Sequence, residues 1–300
     1  MRKNRNNLLR RTKDNIFLSV LWVIMFVWCV AFIGLLIWAF SNSLKDEYDW
    51  FQSSLAFPPL EFLDWKNYVT AFQKINVPLT ATKTANAPEL LMNTLIYSVG
   101  NAVVSEFTAL LATYILVRYK GRVKFVGILW TIYLIVRYMP VSISLGSELK
   151  MLKTLGLYDN FLGNILYNAG CFGGGFLFYY AAWRGFGNSL PEAAEIDGAG
   201  NFRIFLQIML PLMLSTSLFF VVSKIIGLWN DYRGPMVYLP SHPTLSYALW
   251  RIQFSVETGL NNIPAKLAGL LLLSIPPFIL FLIFRKPMLN GISLDGGVKG

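Results

Sequence analysis

Long apolar runs separated by short polar connections set the pattern of this chain. A helix that crosses a bilayer needs about 20 mainly apolar residues, and six stretches meet that demand: Ile16–Phe40, Met92–Val117, Phe125–Leu145, Asn164–Trp183, Phe205–Leu228 and Ala265–Phe284. The pattern therefore predicts an all-α integral membrane protein with six transmembrane helices. Arg2, Lys3, Arg5, Arg10, Arg11 and Lys13 precede the first run, as they would in a signal peptide. That run is too long for one and no small-x-small cleavage site follows, so it reads as a retained anchor.

Composition supports this reading. Apolar residues make up 55% of the 300 positions and charged residues only 14%, with a mean hydropathy of +0.51. Soluble domains carry roughly 25% charge, so this chain is shifted away from water. The net charge of +10 does not mark a nucleic-acid groove, because the basic residues flank the apolar runs as topology signals do. Lys and Arg concentrate before the first run, in Arg118–Lys124, around the fourth connection (Arg184, Arg203) and after the last run (Arg285, Lys286, Lys299). Acids outnumber bases in Ser41–Leu91. Both termini are thus predicted to be cytoplasmic, in a multi-pass protein of the plasma or inner membrane.

The expected organisation is a basic N-terminal segment (1–15), a six-span domain (16–284) and a cytoplasmic tail (285–300). The span domain carries an outer loop at 41–91, a cytoplasmic loop at 184–207 and a second outer loop at 230–262. Pro58-Pro59 and several aromatics make the first outer loop a candidate for a small ordered cap. No second soluble domain, low-complexity tract or repeat is visible.

Several chemistries lack parts. There is one histidine, His242, between Pro240 and Pro243, and no Cys/His cluster that would suggest a metal site. An embedded hydrolase or transferase needs a nucleophile with its base, or metal-spaced His and carboxylates. Cys29 and Cys171 both fall in apolar runs, which argues against a disulfide framework. No Gly-x4-Gly-Lys-Ser/Thr loop occurs, so ATP-driven transport would require hydrolysis on another subunit.

The connection between the fourth and fifth runs, Ser189 to Pro211, has a defined local grammar. Ser189 followed by Glu192 predicts a capping box, with Pro191 in the first turn. A short helix from Leu190 to Asp197 should stop at Gly198 and restart near Asn201. This gives a rigid knob, with Ala193, Ala194 and Ile196 available as a small apolar docking face.

The spacing Glu192-Ala193-Ala194-x3-Gly198-x9-Ile208-x-Leu210-Pro211 resembles the EAA loop of ABC importer permease subunits. Further pieces are similar to the carbohydrate-uptake branch: Asn67-Tyr68, Asn93-Thr94-Leu95, Leu155-Gly156-Leu157-Tyr158-Asp159-Asn160, Trp229-Asn230-Asp231 and the ending Gly296-Gly297-Val298-Lys299-Gly300. The resemblance runs from about residue 16 to the end. It implies a type I importer permease fold and half of the path for a sugar or oligosaccharide. It also implies a second permease subunit, two ATPase subunits that hold ATP and Mg, and an extracytoplasmic binding protein, with no cofactor on this chain. Glu192 would then face a basic residue of the ATPase and Gly198 would permit the bend. The tail would reach toward the ATPase dimer, and residues 230–262 would face the binding protein. The first outer loop is longer than the resemblance leads one to expect. Glu106 and Arg137 inside spans are further departures, which bear on the substrate.

Those two charges each lie about 17 Å from the cytoplasmic ends of neighbouring runs at 1.5 Å per residue. Equal depth permits a salt bridge, and either residue is also a candidate to line the sugar path. Lys224, near the outer end of its run, is expected to snorkel. Gly170 and Gly174 are spaced for close helix packing or for a gate, and Pro140 and Pro276-Pro277 for bends. Trp130, Tyr133 and Arg137 share a helix face. With Trp229, Asn230 and Asp231 they supply the stacking and polar groups a sugar would use, and the aromatics fit an interfacial belt equally well. Two other transport readings remain open: an ABC permease for a polyamine or phosphonate, and an ion-coupled secondary carrier.

Overall fold

The structure, a computed structural model, describes residues 2–58, 63–80, 82–119, 125, 127–128, 130–132, 135, 144–170, 174–254 and 262–292. It is predominantly helical and divides into two compact units, Met1–Lys74 with Val256–Leu272 and Ile75–Ser255 with Leu273–Gly300. Among the described residues, three helices are long and apolar enough to cross a membrane: Phe17–Ser43, Ala87–Tyr119 and Ile263–Met288. A bent pair, Asn201–Leu212 with Leu214–Trp229, would add a fourth. Most of the third predicted run, with Tyr133, Arg137 and Pro140, lies outside the described residues, as do Cys171 and the tail Gly296–Gly300.

The first unit begins with α1 (Arg2–Ser43), a single 42-residue helix that includes the basic N-terminal segment. Its apolar stretch leaves Trp22, Phe26, Trp28 and Leu35 exposed, as expected of a surface whose solvent is lipid. Two short helices follow, α2 (Glu47–Gln52) and α3 (Lys66–Lys74). Asn67 fastens α3 to the end of α1 by donating to the Ser43 and Lys45 carbonyls at 3.0 and 2.8 Å. The predicted ordered segment after the first run is thus helical in this part.

In the second unit a two-stranded antiparallel hairpin, β1 (Asn76–Pro78) with β2 (Thr84–Asn86), pairs Val77 with Ala85 and leads into α4 (Ala87–Tyr119). This helix is inside-out by the standards of water. Asn93, Thr94, Ser98, Asn101, Ser105, Glu106 and Thr113 are buried, whereas Met92, Leu95, Val99, Val103, Phe107 and Ile115 are partly or largely exposed. Where the surroundings are hydrocarbon, apolar side chains face out, while small and polar ones pack against neighbouring helices and bond across them. Asn101 donates to Asn164 Oδ1 at 2.9 Å, and Thr94 Oγ accepts the Leu245 amide at 2.9 Å. Along its length α4 packs against Phe161–Asn168, Phe176–Phe186, Leu214–Trp229 and Leu245–Phe254.

The remaining elements are α5 (Leu145–Thr154), α6 (Phe161–Asn168), α7 (Phe176–Phe186), α8 (Ser189–Ile196), α9 (Asn201–Ile204), a π turn at Phe205–Met209, α10 (Leu210–Leu212), α11 (Leu214–Trp229), α12 (Arg233–Tyr238), α13 (Leu245–Phe254) and α14 (Ile263–Ile292). The fourth predicted run is not one helix: α6 ends at Asn168 and α7 begins at Phe176. Nor do Gly170 and Gly174 serve close packing among the described residues, since a Cβ on either meets no atom within 4 Å. Close approach occurs at Gly175, where a Cβ would lie 2.7 Å from the Tyr179 ring and 2.8 Å from Glu106 Oε2.

The fifth predicted run is also broken, bending 72° between Asn201–Leu212 and Leu214–Trp229. Pro211 has no amide to give the Gln207 carbonyl, and its ring crowds that turn. The preceding residues widen into the π turn, with the Leu210 amide reaching Phe205 O, and Met213 bonds back to both Met209 and Leu210.

Candidate functional site: the helical knob at Ser189–Pro211

The knob is built as a stop-and-restart. Helix α8 begins at Ser189, and Asn188 occupies the cap position without a side-chain capping bond. The expected capping box is therefore absent: Ser189 lies one residue inside the helix, and the Glu192 amide is taken by the Asn188 carbonyl at 2.9 Å. The C-terminal end forms as expected. Gly198 adopts φ +81°, a left-handed conformation that a Cβ penalises. Its amide bonds Glu195 O at 3.0 Å while the Ala199 amide bonds Ala194 O at 2.9 Å, which is the paired closure of a Schellman motif.

One side of the knob is anchored. Ala194 is buried with Ile204, Phe205 and Met209 against Leu110, Tyr114, Tyr179 and Trp183. Ala194 is thus a packing residue and not part of an outward docking face, because the helix turns it toward α4. Ile208 and Leu210 are half-buried against the same core. Trp183 locks α7 to α4 through its indole N–H, which reaches Thr113 Oγ at 3.1 Å. Arg118, buried at the end of α4, forms an ion pair with Glu195 of α8, while its Nη1 atom is buried without a hydrogen-bond partner. A charge-assisted bond from a buried guanidinium fixes orientation as well as position. Beside the knob, Val117, Tyr180, Trp183, Arg184, Gly187 and Asn188 line a cleft of about 310 Å³.

The other side is open. Glu192, Ala193, Gly198 and Pro211 are exposed, Ile196 is 87% exposed and Phe202 76%. Phe202 escaped the sequence reading; its place three positions before the π turn marks it only once the turn is seen. The outward side thus carries the carboxylates of Glu192 and Asp197, a small alanine, and the large apolar side chains of Leu190 and Ile196 on α8 and Phe202 on α9.

The mid-span charge sits elsewhere on α4. Glu106 Oε1 lies 3.7 Å from Lys224 Nζ and Glu106 Oε2 accepts the Tyr179 hydroxyl at 3.0 Å. The Lys224 ammonium also donates to Ser105 Oγ. The snorkelling expected of Lys224 does not occur. The residue lies five positions from the end of α11, and its ammonium turns inward to Glu106 and Ser105 of α4. Arg137 lies outside the described residues, so the expected Glu106–Arg137 pair is not represented among them.

The aromatic and polar candidates for a sugar path are placed as follows. Trp130 stacks on Tyr180 at 4.5 Å and on Phe176 at 6.1 Å. Trp229 is buried and donates its indole N–H to Leu273 O at 3.0 Å. That carbonyl would ordinarily bond the amide four residues on, but residue 277 is a proline within α14. Asp231 Oδ2 accepts the Tyr97 hydroxyl at 2.7 Å, and its Oδ1 accepts the Arg233 and Gly234 amides at 3.0 and 3.1 Å. Asn230 is exposed. Trp130 is not brought together with Trp229–Asp231 by any of these contacts. The motif-like pieces elsewhere act as fasteners. Asn93 donates to Pro243 O at 2.9 Å, and Asp159, at φ 56°, accepts the Ser241 amide at 2.9 Å.

Comparison with known proteins gives these observations a context. No family model matches the sequence. Over 95% of its length the chain is 28% identical to the probable starch degradation products transport system permease protein AmyC of Thermoanaerobacterium thermosulfurigenes, covering 94% of that protein. It is 25% identical over 97% of its length to the melibiose/raffinose/stachyose import permease protein MelC of Bacillus subtilis (strain 168), covering 99% of it. The diacetylchitobiose uptake system permease protein NgcG of Streptomyces coelicolor (strain ATCC BAA-471 / A3(2) / M145) is 22% identical over 94% of this chain and 89% of its own. In fold, the chain matches a bacterial ABC transporter involved in the import of the acidic polysaccharide alginate, with a TM-score of 0.72 at 21% identity over 91% of this chain and 97% of that one. The chain is a relative of the permease subunits of carbohydrate ABC importers.

Proposed function

We propose that the chain is a permease subunit of an ABC importer, forming half of the path for a sugar or oligosaccharide. Its relatives are permease proteins of starch-product, melibiose-type and diacetylchitobiose uptake. Energy would come from ATP and Mg on two partner ATPase subunits, and a second permease would complete the path. An extracytoplasmic binding protein would deliver the sugar, with both termini and the knob on the cytoplasmic side. The observation that carries this reading is the knob itself: a short helix braced by Ala194, Arg118 and the Gly198 turn, with Glu192, Ala193, Ile196 and Phe202 left open for a partner. A braced helix moves as a unit, so closure of an ATPase dimer would pass through it into the spans and switch the path from one face to the other. The chemistry this subunit performs is then alternating access, with covalent steps confined to its partners.

The test is a mild-detergent pull-down of the tagged chain with Glu192→Ala as control. The wild type is expected to bring down an ATPase chain that the variant loses or retains weakly, and a co-purifying binding protein would then identify the sugar by ligand screening. A wild-type chain that purifies alone, or only with itself, would refute the importer reading and favour a secondary carrier.

A further inference from the structure

The Ser43 end of α1 carries two short segments that expose several large apolar side chains, and contacts within the first unit set their height against the helix. Trp50 packs edge-on against Trp38 at 5.8 Å, and the Trp38 indole N–H donates to Ser54 O at 2.9 Å. Helical side chains lean toward the N-terminus, so Trp50–Ser54 lies at or below the level of Trp38. That level is two residues, about 3 Å, inside the end of the apolar run at Phe40. Lys45 closes the fold-back by donating to Ser53 O at 2.6 Å. Its charged residues Asp46, Glu47 and Asp49 come first, and the chain turns apolar as it descends. Helix α3 is held at the same end, where Ser43 Oγ and the Tyr68 hydroxyl lie 2.7 Å apart and the Trp65 ring meets Phe40 edge-on at 6.4 Å.

Among the outward residues, large apolar side chains recur beside the exposed polar Gln52, Lys66, Gln73 and Lys74. At and along α3, Trp65 just before the helix and Val69 and Phe72 on it are spaced i, i+4, i+7 and are exposed, while Asn67 and Ala71 face inward. On the fold-back, Phe51, Leu55 and Phe57 are 72–84% exposed. Exposed apolar side chains gathered at one end of a helix mark an interaction surface, and Trp65 joins those of α3 to the exposed apolar face of α1 through its contact with Phe40.

We propose that this collar is an interfacial membrane-binding surface. Phe51, Leu55, Phe57, Trp65, Val69 and Phe72 insert into the headgroup–acyl boundary of the leaflet at the Ser43 end, and lipid is their occupant. The chemistry suits that layer: amphipathic rings and aliphatic groups on one stripe, with the exposed Lys66 flanking it toward the headgroups. The collar fixes how far α1 is drawn through the bilayer, and this role does not depend on what the protein transports.

Site-directed spin labels test it. In a Cys29→Ser, Cys171→Ser background, the full-length chain carrying Phe51→Cys, Val69→Cys or Lys66→Cys is labelled and reconstituted into phosphatidylethanolamine/phosphatidylglycerol vesicles. The expected result is an oxygen-to-nickel-chelate accessibility ratio several-fold higher at positions 51 and 69 than at 66. Labels at 51 and 69 as open to the nickel chelate as that at 66 would place the patch in water and overturn the proposal. Labels shielded from both reagents would mean that protein covers the face, and would overturn it equally. If Phe51→Cys or Val69→Cys does not give a monodisperse protein, Leu55→Cys and Phe72→Cys report the same two segments.

Discussion

Replacing Lys224 by methionine should be among the costliest single changes in the membrane interior, because of the carboxylate it leaves behind. Glu106 has 2% of its side chain exposed, against 28% for Lys224. Breaking a buried ion pair by removing one partner costs about 3–5 kcal/mol, chiefly the penalty of the charge left uncompensated. Two features reduce that here. The lysine is more than a quarter exposed, which weakens the pair through screening, and Glu106 keeps the Tyr179 hydroxyl at 3.0 Å. A loss of about 2–3 kcal/mol is therefore expected for Lys224→Met. Glu106→Gln should cost less, about 1 kcal/mol, since an amide still accepts from Tyr179 and the ammonium left behind is the better solvated partner. The double variant should be more stable than Lys224→Met alone. Thermal unfolding of the purified protein in one detergent, followed by intrinsic fluorescence, would rank the variants, and Arg137→Gln provides the comparison. The reasoning fails if the single losses simply add in the double variant. It fails also if Arg137→Gln proves costly while Lys224→Met is tolerated, since Glu106 would then be paired with the arginine.

Trp229→Phe keeps the ring and removes the indole donor from the carbonyl that Pro277 leaves unpaired, so it should destabilise the protein by about 1–2 kcal/mol in the same unfolding assay. A variant of unchanged stability with weakened sugar uptake would instead make Trp229 a substrate contact. Burial and, next, the hydrogen bond to Glu148 push the Tyr238 phenol from its ordinary 10.0 up to about 12. A group whose folded pKa lies above its unfolded value stabilises fully below the unfolded value. This contribution should thus be intact below about pH 10 and lost as pH rises toward 12. Alkaline unfolding of wild type and Tyr238→Phe would show it, the variant having the flatter profile across that window.

Apolar runs report length, and length was enough for α1, α4 and α14, each of which continues as one helix, α14 even through its internal prolines. It was not enough where one residue breaks the backbone pattern. Pro211 sits inside a run that reads as continuous, yet its missing amide widens the turn before it and the chain bends at Met213. Lys224 was misplaced for another reason: it does lie near the far end of its helix, but its partners Glu106 and Ser105 sit on α4, and no run length reports a contact across helices. Gly198 was legible because a left-handed stop has a residue-specific signature. The capping box was not, because Ser at a helix start fits the cap or the first turn equally well and Asn188 competes for the cap. Ala194 and Ala193 differ by 100° around the helix. Composition cannot say which of them meets the core, and only the position of Leu110 and Tyr114 on α4 decides it.

The parts of the knob and the mid-span pair converge on one helix. Thr94 and Asn93, near the start of α4, bond to Leu245 and Pro243. Glu106 in its middle holds Lys224 and Tyr179, and Arg118 at its end holds Glu195 of the knob. At 1.5 Å per residue the 33 residues of α4 span about 50 Å, enough to cross a bilayer and stand clear of it on both sides. A displacement of the knob must therefore strain the Arg118–Glu195 pair or carry α4 with it. Carrying α4 pulls on the 243–245 segment at the opposite end. The first course is costly, since the guanidinium is buried and Glu195 is the carboxylate it pairs with among the described residues. Under the proposed function, α4 is thus the rod through which the knob and the far loop feel one another, and the Glu106–Lys224 pair joins α11 to that rod at its midpoint.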